Sequence, residues 1–363
     1  MRKSPTMEVR WLKRAAQAGH GYAAHNLGFA YIEGQGIRIR KDPKKAIRWY
    51  RVAARAGVAE AQFNLGACYA CGIGVGRNAR VAAKWYRTAA ELGDVDAEFN
   101  MGCLYHDGGG MKKNMHEELR WYRRAARHGH PQAQFNLGLH YAMGSGVARN
   151  VRSAVMWYRK AADLGDAWAQ CNLGVMYEEG NGVRKDIRTA LAWYRKAAAQ
   201  GDAIAANNLG ICHECGTGVA RNARVAAKWY HRAAKSGNVH AEYNLGCLYD
   251  NGVEMKKNVR EAARWYRRAA RHGDSDAQFN LALCYHDGSG VARNARSAVM
   301  WYRKAASLGH AWAQCNLGVM YEHGEGVRKD VRTALAWYRK AAAQGDSLAA
   351  RNVASIESKD GKR

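Results

Sequence analysis

Three kinds of residue in this chain could do chemistry, and their spacing decides whether they do. Nine cysteines are present, and Cys68/Cys71 and Cys212/Cys215 each form a C-x-x-C. That spacing can hold zinc or run a thiol–disulfide cycle, but a structural zinc needs four ligands and each pair supplies two. The 14 histidines, among them His106, His140 and His213, fall at unrelated positions. Gly-x-Gly triplets such as Gly72-Ile73-Gly74 resemble phosphate-cradling loops. That chemistry needs a strand before the loop, and here a helical pattern precedes it. These residues point to no enzyme, no cofactor and no metal site.

The elements that carry them are copies of one unit. Asn-Leu-Gly or a close variant has its Asn at 26, 64, 100, 136, 172, 208, 244, 280, 316 and 352. A Trp stands at 11, 49, 85, 121, 157, 193, 229, 265, 301 and 337. After a first step of 38 residues both series advance by 36. A fixed period of this length means a supersecondary unit that buries its apolar face by stacking on its neighbours. Against that frame the cysteines lose their reactive look. Cys68, Cys212 and Cys284 lie four after the repeat Asn, Cys103 and Cys247 three after, Cys171 and Cys315 one before. Other repeats place Ala, Leu, Val, Met or Phe there, so Cys reads as a small hydrophobe in a reduced compartment.

Each unit reads as two helices. In residues 94–129, Asp94 is an N-cap candidate, Ala97 to Tyr105 is the first helix (A), and Gly108 closes it at a left-handed position. A short turn leads to Asn or Asp in nine of nine repeats, from Asp42 to Asp330, the N-cap of the second helix (B). In the preceding repeat, Ala82, Trp85, Tyr86, Ala89 and Ala90 trace one apolar stripe along helix B. Trp, Tyr, Asn-Leu-Gly and the paired alanines are therefore expected in the core. Residues 7–18 form an orphan helix B, 19–345 hold nine complete repeats, 346–358 form a capping helix A, and 359–363 are a polar tail. The expectation is a single all-α solenoid over 1–363. The first loop, Gly34 to Asp42, carries the two extra residues, and Ala167-Trp168-Ala169-Gln170-Cys171-Asn172 returns at 311–316 as the mark of a duplicated four-repeat block.

Asn-Leu-Gly-x-x-Tyr, Gly-x-Gly-Val and Ala-x-x-Trp-Tyr-x-x-Ala-Ala-x-x-Gly together resemble the Sel1-like repeat, a relative of the tetratricopeptide repeat, over residues 7–354. The resemblance implies a right-handed α/α superhelical solenoid of helix-turn-helix repeats, with helix A lining the concave face and helix B outside. It implies an adaptor that holds protein complexes together. One cysteine-rich bacterial branch bridges its helices with disulfides and includes members that bind or hydrolyse β-lactams. This chain departs from that branch, with Lys160-Ala161-Ala162 where the branch has Lys-Ala-Cys.

Two surfaces are left for function. Slots −4, −1, +3, +6 and +7 from the repeat Asn share one face of helix A. They vary between repeats, and they hold Phe63, Phe99, Phe135, Tyr243 and Phe279 at −1 and Trp168 and Trp312 at −4. This face is the expected groove for a protein or peptide. The second surface is basic: 57 Lys and Arg against 31 Asp and Glu give +26. Five before the helix-B Trp stand Arg80, Arg152, Arg188, Arg224, Arg260, Arg296 and Arg332, and two after it Arg87, Arg159 and Arg195. Such stripes suit a polyanion, either nucleic acid or an acidic membrane surface, as the alternative partner. No apolar run reaches the ~18 residues of a membrane span. The basic N-terminus lacks the apolar stretch of a signal peptide. A cytoplasmic location is expected, with export by a specialised route left open.

Overall fold

The computed structural model of the protein describes residues 5–34, 39–108, 111–253 and 255–360, with side chains from Val9 to Ser358. Residues 35–38 of the first loop and 361–363 of the expected tail lie outside the described residues. The chain divides into two compact units, residues 1–185 and 186–363. The first holds α1 (Pro5–Gln17), α2 (Gly21–Glu33), α3 (Pro43–Arg55), α4 (Ala59–Cys71), α5 (Ala79–Glu91), α6 (Val95–Asp107), α7 (Met115–Arg127), α8 (Pro131–Met143), α9 (Val151–Asp163) and α10 (Ala167–Glu179). The second holds α11 (Ile187–Ala199), α12 (Ala203–Cys215), α13 (Ala223–Lys235), α14 (Val239–Asn251), α15 (Val259–Arg271), α16 (Ser275–Asp287), α17 (Ala295–Ser307), α18 (Ala311–His323), α19 (Val331–Ala342) and α20 (Ser347–Asp360). Among the described residues there is no strand. Even-numbered helices are A, odd-numbered are B, and within each unit every helix packs on the one before and the one after it. The orphan helix B starts at Pro5, two residues earlier than expected, and α20 runs on through Asp360 into the expected tail.

Caps fix the starts of the B helices from α3 to α19 and the ends of the A helices from α2 to α18. Asn or Asp at the helix-B start accepts a backbone N–H three residues on, as Asn150 does from Ser153 and Asp330 from Thr333. That removes one of the orphan donors of the first turn. Helix A ends in left-handed Gly, for example Gly144 at φ 75°, whose N–H returns to the His140 carbonyl. At Gly290 φ is 72° and an added Cβ would stand 2.0 Å from the Val259 carbonyl oxygen, so the turn itself rests on the preceding helix B.

The core is a Tyr-on-Gly contact repeated along each unit. The helix-B Tyr lies flat against the Gly of Asn-Leu-Gly in its own repeat. A Cβ built on Gly138 would sit 2.6 Å from the Tyr158 ring, and the same holds at Gly102 with Tyr122 and Gly246 with Tyr266 at 2.5 Å. Tyr158, Tyr194, Tyr230, Tyr302 and Tyr338 are fully buried. The helix-B Trp is not, which corrects the expectation from the sequence. Trp121 and Trp301 are buried, but Trp49, Trp85, Trp157, Trp193, Trp229, Trp265 and Trp337 are only half-buried and Trp11 is 62% exposed. A Lys or Arg three residues on covers the outer ring face, as Lys196 does over Trp193 at 4.1 Å. The repeat Asn is likewise partly or fully exposed rather than core.

A second buried element ties repeats together. Gln62, Gln134, Gln170, Gln278 and Gln314, two before the repeat Asn, each donate from Nε2 to a carbonyl in the last turn of the preceding helix B at 3.0–3.2 Å. In two repeats the slot is a carboxylate. Glu98 pairs with Arg124 at 2.6 Å and His128 at 2.8 Å, and Glu242 with Arg268 at 2.5 Å and His272 at 2.9 Å.

Candidate ligand-binding surfaces

The A helices keep one face clear of the B helices. Trp168 and Trp312 stand on it 61% and 65% exposed, joined by Tyr22, Phe29, Met143, Ile204 and Ile211 at the same set of slots. The −1 aromatics lie deeper. Phe63, Phe99, Tyr243 and Phe279 are half-buried, each 5.7–6.1 Å from the core Tyr of its own repeat. Phe135 is buried, wedged between Tyr158 at 5.8 Å and Trp168 at 5.9 Å, so it supports the surface without forming part of it. Phe279 meets Trp312 at 6.0 Å in the same way, and His130 and His310, which cap the next A helix, stack on Phe99 and Phe279. Of the expected aromatic residues, Trp168 with Phe135 and Trp312 with Phe279 come together as exposed Trp rings propped by Phe, while Phe63, Phe99 and Tyr243 pack on the core Tyr of their own repeats.

A cavity of about 460 Å³ lies among α6, α7 and α8 in the first unit, lined among others by Cys103, His106, Glu118, Tyr122 and His140. Glu118 Oε1 lies 2.9 Å from His106 Nδ1 and 3.0 Å from His140 Nε2, while His140 Nδ1 sits 2.9 Å from the Ser145 carbonyl. Glu118 is buried in the slot that holds Ala in the other eight complete repeats, from Ala46 to Ala334. Sequence reasoning missed this cluster, and the broken Ala pattern was its signal. Among the described residues no group of three or more His, Cys, Asp and Glu is arranged to hold a metal ion. Cys68, Cys71, Cys103, Cys215, Cys247, Cys284 and Cys315 are in no disulfide, and burial pushes the Cys68, Cys284 and Cys315 thiols up to about 11, away from the thiolate form that reacts or binds metal.

The basic side chains of the expected stripes are on the outside. Arg80, Arg87, Arg152, Arg159, Arg188, Arg195, Arg224, Arg260, Arg296 and Arg332 are exposed. The Arg two after the Trp reaches the Tyr that lies five after Asn on the next helix A: Arg51 to Tyr69 and Arg303 to Tyr321 at 2.7 Å, and Arg159 to Tyr177. A cavity of about 800 Å³ between α5 and the start of α7 is lined by Arg80, Lys84, Arg87, Lys112, Lys113 and His116, with no carboxylate among its lining residues.

The Sel1 repeat matches ten times, over residues 9–20, 21–58, 59–94, 95–130, 131–166, 169–202, 203–238, 239–274, 275–310 and 313–346. The chain belongs to the Sel1 repeat family. It is 33% identical to a protective antigen of uropathogenic Escherichia coli that displays an SLR fold, over 98% of this chain and 84% of that one, with a TM-score of 0.67. A Sel1 repeat protein from Oxalobacter formigenes is 29% identical over 98% of this chain and 94% of that one, with a TM-score of 0.52. No curated protein matches the chain. Sel1 and related repeats generally mediate protein–protein interaction and are typically scaffolds without catalysis. Among the described residues no helix is long and apolar enough to cross a membrane.

Proposed function

We propose that this Sel1 repeat protein is a non-enzymatic adaptor that holds a protein or peptide against the free face of its A helices. The observation that carries the reading is the pair Trp168 and Trp312, exposed large aromatics at one slot of helix A, each packed against a Phe of the preceding A helix. Large aromatics on a rigid support are the usual energetic centres of protein interfaces. The test is a pull-down from nuclease-treated extract with mass spectrometry, followed by binding of the purified partner. Trp168→Ala with Trp312→Ala should weaken that partner at least about tenfold, since each such anchor contributes ~2 kcal/mol or more. Arg152→Glu with Arg188→Glu and Arg224→Glu should leave it bound. The reverse pattern, with both variants folded, would overturn the reading. A second reading, polyanion binding, draws on the basic cavity of Arg80, Lys84, Arg87, Lys112 and Lys113. Its signature would be affinity for RNA or DNA that falls steeply with salt and vanishes in the triple Glu variant.

A further inference from the structure

We infer that the free face of the A helices selects a cationic segment, one in which Lys or Arg side chains are interspersed with apolar ones. The inference rests on the adaptor reading above and names the chemistry of the partner.

The net charge of +26 hides a division between the two helix types. The nine A helices from α2 to α18 contain not one Lys or Arg. Their five free-face slots hold eleven Asp or Glu in those nine repeats. The cations of the repeats are all on the B helices and the turns. Within each unit the free face is therefore an apolar surface studded with carboxylates, on a protein that is elsewhere strongly basic.

Eight of the eleven carboxylates stand where the helix disfavours them, while Glu60, Asp96 and Asp276 lie in the favourable first turn. Glu33, Asp107, Glu179 and Asp287 are the last residues of α2, α6, α10 and α16, and four more acids stand one residue before the end of an A helix. The negative end of the helix dipole repels a carboxylate there, and a Lys or Arg would be favoured. Solubility alone would be served as well by Lys. A charge placed against the local field, repeatedly and on one face, is accounted for by what must meet that face.

Several of these acids also remain open to solvent. Asp96, Asp276 and Asp287 side chains are 68%, 59% and 60% exposed. Their contacts are with His130, His310 and His286, while Glu214 and Glu322 accept the hydroxyls of Tyr230 and Tyr338. Asp250 meets Lys257 at 3.4 Å. The exposed rings of Trp168 and Trp312 add to the same preference, since an indole face attracts Arg and Lys.

The positive B helices do not cancel this. Packed helix axes lie ~8–10 Å apart, and the Debye length at physiological ionic strength is ~8 Å. Charge on the far side of helix B is thus largely screened at the free face of helix A, whereas Arg159 and Arg303, which reach Tyr177 and Tyr321, and Lys257, which meets Asp250, stand nearer and offset part of the carboxylate charge. Recognition there follows the carboxylates within reach, and an acidic peptide would meet repulsion.

A random-peptide phage library panned against the full chain at about 0.15 M salt tests the inference. Enriched peptides should carry net positive charge together with aromatic or aliphatic residues. Their affinity should fall about tenfold or more in a variant with Asp96→Asn, Asp107→Asn, Asp276→Asn and Asp287→Asn, and also in Trp168→Ala/Trp312→Ala, with circular dichroism and denaturation showing both variants folded. Neutral or acidic peptides that depend on the Trp pair would overturn the charge assignment and leave the adaptor reading standing. So would cationic peptides that lose affinity with the Trp pair but not with the acids. Peptides indifferent to both variants, or no enrichment, would overturn the charge assignment and the face together.

Discussion

Trp157 and Tyr158 are neighbours in sequence and have different tasks. Both lie on the apolar stripe read from the sequence, and there the sequence could not tell them apart. Successive residues on a helix are ~100° apart, so two adjacent aromatics cannot both face the centre of one contact. In the equivalent helix Ala82, Tyr86, Ala89 and Ala90 share the buried arc, and Trp85 is rotated to its flank. Tyr158 is 1% exposed against Gly138, while Trp157 is half-buried beneath the Lys160 ammonium at 4.6 Å. Truncation should reflect this. Tyr158→Ala is expected to destabilise by ~3–5 kcal/mol, the range for a buried aromatic. Trp157→Ala should cost about half as much, in line with its smaller buried area. Equilibrium denaturation of the two variants measures it, and equal losses would place Trp back in the core.

The elements were more legible than the residues. Helix ends are set by local chemistry, an Asn or Asp side chain at one end and a left-handed Gly at the other, so nine N-caps and nine closing glycines could be read directly. What stayed hidden depends on neighbours. That Gln134 reaches the Ala126 carbonyl, or that Glu118 gathers His106 and His140, follows from stacking, and nothing local to Gln or Glu announces it. The candidate face was readable in its slots but not in its depth. Phe135 and Trp168 belong to the same set, yet one is buried by the other. The caps give the element-scale prediction. Asn150→Ala removes the acceptor for Ser153 N–H and should cost about 1 kcal/mol. Asn150→Asp should restore it, since Asp fills the same position in α11 and α19. Loss of stability in both variants alike would mean that the side chain acts through something other than the cap.

At the scale of the whole molecule, a core built from repeated Tyr and Cys makes stability depend on pH in a definite direction. Burial raises the hydroxyls of Tyr50, Tyr86, Tyr122, Tyr158, Tyr230, Tyr266, Tyr302 and Tyr338 above their usual value, that of Tyr158 to about 12. It raises Cys68, Cys284 and Cys315 to about 11. Unfolded Cys and Tyr ionise near ~8.5 and ~10. Below about pH 8.5 both states hold these protons and stability is at its full value. As the pH rises the unfolded chain releases them first while the folded chain keeps them, so stability is lost until the folded values are reached. Near pH 10 the loss is on the order of 1 kcal/mol for each buried thiol, with the tyrosines adding to it at higher pH. Neutralisation of Lys over the same range lowers the net charge of +26 and works the other way, by easing repulsion among the B helices. The two effects separate by salt, because screening weakens the repulsion and leaves burial of a phenol or thiol untouched. Urea denaturation at low and high salt should therefore show the midpoint falling between pH 8 and pH 11 at both ionic strengths, and more cleanly at high salt. The tyrosinate absorbance assigned to Tyr158, by difference against Tyr158→Phe, should appear together with unfolding. A Tyr158 that ionises freely below pH 11 while the fold persists would show that its contact with Gly138 does not exclude water, and with it that the repeat core is not the one described.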